Sequence, residues 1–188
     1  MRKIFIIITI LIGLSVCSYA QTGIPHNIQK KADRDAKELE KAGWEPYLKM
    51  PDIKRQLRDA FGYEYSNFEG NSQYFIASSG SRRAMNLHDA HTKAILAARG
   101  EIVKAMNSYV SSEIIIKTDL DSNTRQRMLH NIVVTCRQKL GKTEPIVDMY
   151  RKLKSGEYEV KVRVVYKKKE VDDDIDAVIK TVSEQIEK

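Results

Sequence analysis

Glu157-Tyr158-Glu159-Val160-Lys161-Val162-Arg163-Val164-Val165-Tyr166-Lys167 is the stretch that decides the fold. Tyr158, Val160, Val162, Val164 and Tyr166 alternate with Glu157, Glu159, Lys161 and Arg163. A period of two sends successive side chains to opposite faces, so this is a strand with one face buried and one wet. The sheet it belongs to is therefore expected to be covered on one side only. Lys154-Ser155-Gly156 precedes it as a turn, and 145–153 supplies the partner strand of a hairpin. Beyond it, Ile175, Val178, Ile179, Val182 and Ile186 predict a closing helix over about 172–187. Asp172, Asp173 and Asp174 are expected at its N-terminus, where acids favour the helix dipole.

Reading back towards the N-terminus, Leu129, Ile132, Val133, Cys136 and Leu140 give the core face of a helix over 122–140, stopped by Gly141. Val110, Ile114, Ile115 and Ile116 are β-formers, and 109–118 is read as a strand. Leu87, Ala90, Ala94, Ala97, Ala98, Ile102, Ala105 and Met106 mark one flat face of a helix over 86–107. Gly100 inside it costs about 1 kcal/mol relative to alanine, which suggests close packing or an irregularity there. Residues 73–79 read as a strand ended by Gly80-Ser81, after a break at Glu69-Gly70-Asn71-Ser72. A helix over 51–66 starts at Pro51 and shows Ile53, Leu57, Ala60, Phe61 and Tyr65 on one face. Another spans 27–42, with Asn27 to cap it, Ile28, Ala32, Leu39 and Ala42 as its stripe, and Gly43 to stop it. Trp44, the chain's one tryptophan, is expected to pin this N-terminal segment (21–70) onto the α+β domain (71–188). The fold class is α+β: a mostly antiparallel sheet of about four strands with helices packed on one face, plus an N-terminal helical segment.

The first residues carry a different message. Arg2-Lys3, an apolar run from Ile4 to Val16 and Ser18-Tyr19-Ala20 have the order of a secretory signal, with cleavage expected after Ala20 to leave Gln21 first. The run of about thirteen residues is short of the ~20 that span a membrane. Cys17 raises lipid attachment as a rival, though Val16 suits that processing poorly. The exported domain would have 168 residues, the chain's 188 less the leader's 20, one domain's worth. Its net charge would be +5, the +7 of the chain less Arg2 and Lys3. Bases interleave with acids, as in Lys37-Glu38 and Lys168-Lys169-Glu170, which describes a mixed surface and no nucleic-acid stripe. Without Cys17 a single thiol remains, so no internal disulfide can form, and Cys136 in its apolar helix is read as buried and inert.

Three segments carry a resemblance: Tyr74-Phe75-Ile76-Ala77-Ser78-Ser79-Gly80, the alanine-rich Ala90 to Ile102, and Gly156-Glu157-Tyr158-Glu159-Val160-Lys161-Val162. This pattern, over about half the chain, resembles the LPP-twenty-like lipoprotein family and the N-terminal domain of flagellar assembly protein T. The resemblance implies an α+β envelope domain with no enzymatic activity and no site residues to carry over. The chain departs from it in the poor lipid-attachment site and in the extra helices of 27–66.

Chemistry-bearing groups are few. His88 and His91 lie three apart on a helix and could share a metal with His130 if folding delivered it. Asp119-Leu120-Asp121-Ser122-Asn123 begins like a calcium loop, but Thr124 and His130 stand where the Gly and bidentate Glu belong. A helix cap accounts for the same acids. Ser78, Ser79 and Ser81 lack a nucleophile elbow. Arg82-Arg83 beside His88 could hold an anion at a helix start, and Asp172, Asp173 and Asp174 a cation. No catalytic, cofactor or metal residue is assigned, and no cofactor is expected. The expectation is a non-enzymatic protein of the periplasm or outer membrane. Its partner would be an envelope protein or a second copy, and it would meet a membrane only through a lipid on Cys17. The alternative is a small metal-dependent or thiol hydrolase using His88, His91, His130 and Cys136. A third reading is an apolar ligand pocket between the 51–66 helix and the sheet.

Overall fold

A computed structural model describes residues 24–68 and 72–186. The leader with Cys17 and Gln21, and positions 69–71 of the expected break, lie outside the described residues. The elements are α1 (His26–Lys41), β1 (Glu45–Pro46), α2 (Ile53–Phe68), β2 (Tyr74–Ser78), β3 (Arg82–Ala84), α3 (Leu87–Lys117), α4 (Ser122–Leu140), β4 (Pro145–Lys152), β5 (Tyr158–Lys167) and α5 (Lys168–Ile186). The strands form one antiparallel sheet in the order β1-β4-β5-β2, with β3 also on β5. The class is α+β, as the sequence indicates.

The hairpin β4–β5 is the centre of the molecule. Val160, Val162, Val164 and Tyr166 are buried in the main core with α3, α4 and α5. Each valine so enclosed contributes about 1.5–3 kcal/mol over an exposed one. Gly156 closes the turn at φ +87°, and its N–H donates to the Leu153 carbonyl.

β2 and β3 share one edge of β5, at 163–167 and 158–160 respectively. Ser79 bridges the interruption between them. Its backbone N–H donates to the Val162 carbonyl (2.8 Å), and its buried hydroxyl accepts from the Val162 N–H (2.9 Å). The side chain thus replaces the carbonyl that the bulge takes out of the ladder. The outer side of β2 is closed at its start by Asn67 of α2. Its Oδ1 accepts from the Gln73 and Tyr74 N–H groups, and its Nδ2 donates to the Tyr74 carbonyl. One primary amide pairs as a neighbouring strand would, and blunts the edge.

Two expectations are corrected here. The second face of the sheet is not left to solvent: α1 and α2 pack on it. Val147 and Met149 lie in register with Arg163 and Lys161, opposite the core-facing row, and join Ala32, Ala36, Trp44, Ile53, Leu57 and Ala60 in a second cluster. Trp44 is 4% exposed there, with Arg151 and Lys161 over its ring. This filled interface stands where an apolar ligand pocket was expected. On the same face buried Glu159 takes Arg151 at 2.6 Å and Arg83 at 3.4 Å. Burial raises its pKa, but the bonds from Arg151 and Ser81 and the charges of Arg151 and Arg83 outweigh that and lower it.

Second, 109–118 is not a strand. α3 runs on to Lys117, and its buried residues recur every fourth position: Ala90, Ala94, Ala98, Ile102, Met106, Val110 and Ile114. Four residues turn about 400°, so this line creeps about 40° per step and about 240° over its length. The helix can therefore face the sheet along its small alanines and face α4 and α5 along its larger C-terminal residues. Tyr109 reaches Asp172 and Lys117 reaches Asp176, both on α5. Ser108 and Ser112 donate their hydroxyls to the carbonyls four residues back, so they are accommodated within the helix. Gly100 is not a close-packing point, since a Cβ there would meet nothing within 4 Å.

Smaller boundaries also differ. α5 starts at Lys168, so Asp172–Asp174 lie inside it and do not cap it. Asp172 accepts from Tyr109, Asp173 from Lys169 and Asp174 from Lys139. α1 has Pro25 at its cap position with no side-chain cap, so Asn27 does not serve. Pro51 precedes α2, and Asp52 caps it by accepting from the Arg55 N–H.

Candidate functional site

Two of the buried polar residues, Gln56 and Asp148, gather where the N-terminal segment crosses onto the domain. Gly43, at φ +79°, ends α1 in the left-handed region that glycine tolerates. The chain then pairs Glu45 and Pro46 with Tyr150 and Met149, and the Tyr47 N–H donates to the Asp148 carbonyl (3.0 Å). A turn closes from the Met50 N–H to the Tyr47 carbonyl, with Leu48 at φ +40° and 77% exposed. These constraints lay the Tyr47 ring on the imidazole of His91, centroids 3.9 Å apart and planes within 2°.

His91, on the first turns of α3, meets Asp148 of β4 with Nε2 2.7 Å from Oδ2. The carboxylate side chain is 3% exposed and the imidazole 16%. Gln56 of α2, itself buried, accepts the Asp148 backbone N–H through Oε1 (2.7 Å) and donates Nε2 to the Pro51 carbonyl (2.7 Å). Asp148 Oδ1 is buried with no hydrogen-bond partner among the described residues. Burial raises the Asp148 pKa; the hydrogen bond and charge of His91 oppose that, and Glu144 adds to it. Tyr150 packs edge-on against Tyr47 and donates its hydroxyl to Glu45.

A carboxylate that holds one imidazole nitrogen orients the other, which is half of a catalytic triad. The remaining half is a nucleophile, and no serine, threonine or cysteine among the described residues hydrogen-bonds His91. The arrangement works mechanically as a clasp: α3, β4, the 43–50 strap and α2 all meet on Asp148.

The other sequence candidates lie apart. His88 is exposed one turn before His91, and His130 is exposed on the outer side of α4. Cys136 is fully buried between α4 and α5, its thiol 3.7 Å from Asp174 Oδ2. Burial and the Asp174 charge push that thiol up to about 11, against the low pKa a nucleophile needs. Among the described residues no three His, Cys, Asp or Glu side chains are grouped to hold a metal. Asp121 caps α4 by accepting from the Asn123 and Thr124 N–H groups, the cap reading of the calcium-like run. At the start of α3, Asn86 caps the helix by accepting from the Asp89 N–H, and Arg83 pairs with Glu159 of β5.

Asp148 and Gln56 are the residues that sequence reading missed. A lone acid inside Ile146-Val147-Asp148-Met149 was the signal, since a charge among inward residues is buried only with a partner. No family model, no curated protein and no solved structure matches this chain.

Proposed function

We propose that this chain is an exported, non-enzymatic domain of the cell envelope that binds or supports another envelope component. The observation that carries the reading is the leader: Arg2-Lys3, Ile4 to Val16 and Ser18-Tyr19-Ala20 in the order of a secretory signal. The internal resemblance to LPP-twenty-like lipoproteins and flagellar assembly protein T agrees with it. Two features of the fold support it. The His91–Asp148 pair is closed over by Tyr47 and tied to Gln56, and the Cys136 thiol is buried. The hydrolase alternative needs His88, His91, His130 and Cys136 in one cleft, and their separation weighs against it.

The test is a pull-down from envelope extracts of the native host with the tagged chain, beside the mass of its N-terminus. Processing after Ala20 and recovery of one saturable envelope partner are expected. Unprocessed chain in the cytosol, or strictly monomeric protein that recovers no partner, overturns the proposal.

A further inference from the structure

The geometry points to the end of the α3–α4 hairpin as a docking surface for an anionic lipid bilayer, independent of any lipid on the chain. Helix α4 carries four basic residues, Arg125, Arg127, Arg137 and Lys139, and no acid. Lys139 pairs with Asp174. The three arginines have no carboxylate partner among the described residues, whereas Arg58, Arg83, Arg151 and Arg163 each have one. Arg125 Nε is buried with no hydrogen-bond partner among those residues.

Beside this charge the last turn of α3 presents Ile115, 56% exposed, and Ile116, 77% exposed. Between the two helices lies a depression of about 230 Å³ lined by Ile114, Ile115, Leu129 and Arg125 among others. It adjoins a more polar hollow that includes Arg127 and His130, since Gln126 lines both. Large aliphatic side chains next to unpaired guanidinium groups suit the boundary of a bilayer, where the first enter the acyl region and the second meet lipid phosphates. A protein-binding hot spot is built differently, around an aromatic anchor in a central pocket. Of the nearby acids, Glu113 and Asp176 share Lys117, whereas Asp119 and the capping Asp121, both exposed at the turn, keep their charge and offset part of the attraction.

The proposal goes beyond the envelope-partner reading, and its test is separate. The chain, made with its own leader and purified as an exporting host processes it, is co-sedimented with vesicles. One set is phosphatidylcholine alone and the other contains phosphatidylglycerol. Preference for the anionic vesicles, weakening with salt, is expected. Arg125→Gln with Arg127→Gln is expected to weaken it about thirtyfold. Ile115→Ser with Ile116→Ser should weaken it about tenfold or more. Arg127→Gln alone, at an exposed position, serves where a double variant loses its helical circular dichroism. Equal binding to both vesicle types, or variants that bind like the parent, overturns the proposal. So does a dimer that the isoleucine changes dissolve while vesicle binding stays the same.

Discussion

Replacing His91 by alanine leaves the Asp148 carboxylate, 3% exposed, without its imidazole partner at Oδ2 and with Oδ1 still unpartnered. Removing one member of a buried pair costs about 3–5 kcal/mol; here the lower end applies, because the carboxyl can take a proton instead. Asp148→Asn keeps the shape and an acceptor for His91 and removes the charge, so it should cost within about 1 kcal/mol. The pH dependence separates the two. Asp148 has its pKa raised in the folded state, so the folded chain binds that proton more tightly than the unfolded chain does. The stability from this group is complete below the ordinary carboxylate value and is lost as pH rises through the raised value. In His91→Ala the hydrogen bond and electrostatic attraction that oppose the burial of Asp148 are gone, its pKa rises further, and the loss is deeper at neutral pH. The deficit of His91→Ala should therefore shrink as pH falls towards the ordinary aspartate range, while that of Asp148→Asn shows the reverse trend. Urea titrations read by Trp44 fluorescence measure this directly, since the chain's single tryptophan is buried in the cluster that the clasp secures. A His91→Ala cost below about 1 kcal/mol at neutral pH, or one that does not change with pH, refutes the reasoning.

Gly100→Ala should stabilise the chain by about 1 kcal/mol in the same titration, because the helix gains propensity and the added methyl meets nothing. Gly156→Ala should destabilise by about 1 kcal/mol, since φ +87° disfavours any Cβ although space is open. Asn67→Asp keeps the acceptor for the Gln73 and Tyr74 N–H groups but sets an oxygen against the Tyr74 carbonyl. A loss of about 1–2 kcal/mol and concentration-dependent association at the opened edge are expected by light scattering. In the folded chain Cys136 should resist iodoacetamide at neutral pH and react once urea unfolds it, as peptide mass mapping would show.

The central hairpin was legible because β5 alternates from Tyr158 to Val164 and its turn glycine is required. α4 was legible because its apolar spacing and its Asp121 cap agree. The C-terminal part of α3 was not. Val110 and Ile114 to Ile116 favour strands by local preference, and that preference lost to packing against α4 and α5. The every-fourth spacing from Ala90 to Ile114 held the answer, but it tracks a helix whose neighbours change along its length. β1 and β3, of two and three residues, have no periodicity to read and exist only through their partners on β4 and β5. The clasp was half legible. His91 was noticed for its spacing to His88, yet its partner lies 57 positions on, and sheet register alone brings them together.

The creeping line of α3 limits how this chain can change length. One residue added near Ile102 would swing everything downstream by about 100° and point Met106, Val110 and Ile114 away from the helices they support. Four residues would offset them by only about 40°, so the helix tolerates insertion or deletion in blocks of four and rejects single steps. Relatives of different length, or engineered spacers, should follow that quantum, with the remaining rotation of about 40° per block taken up by repacking against α4 and α5.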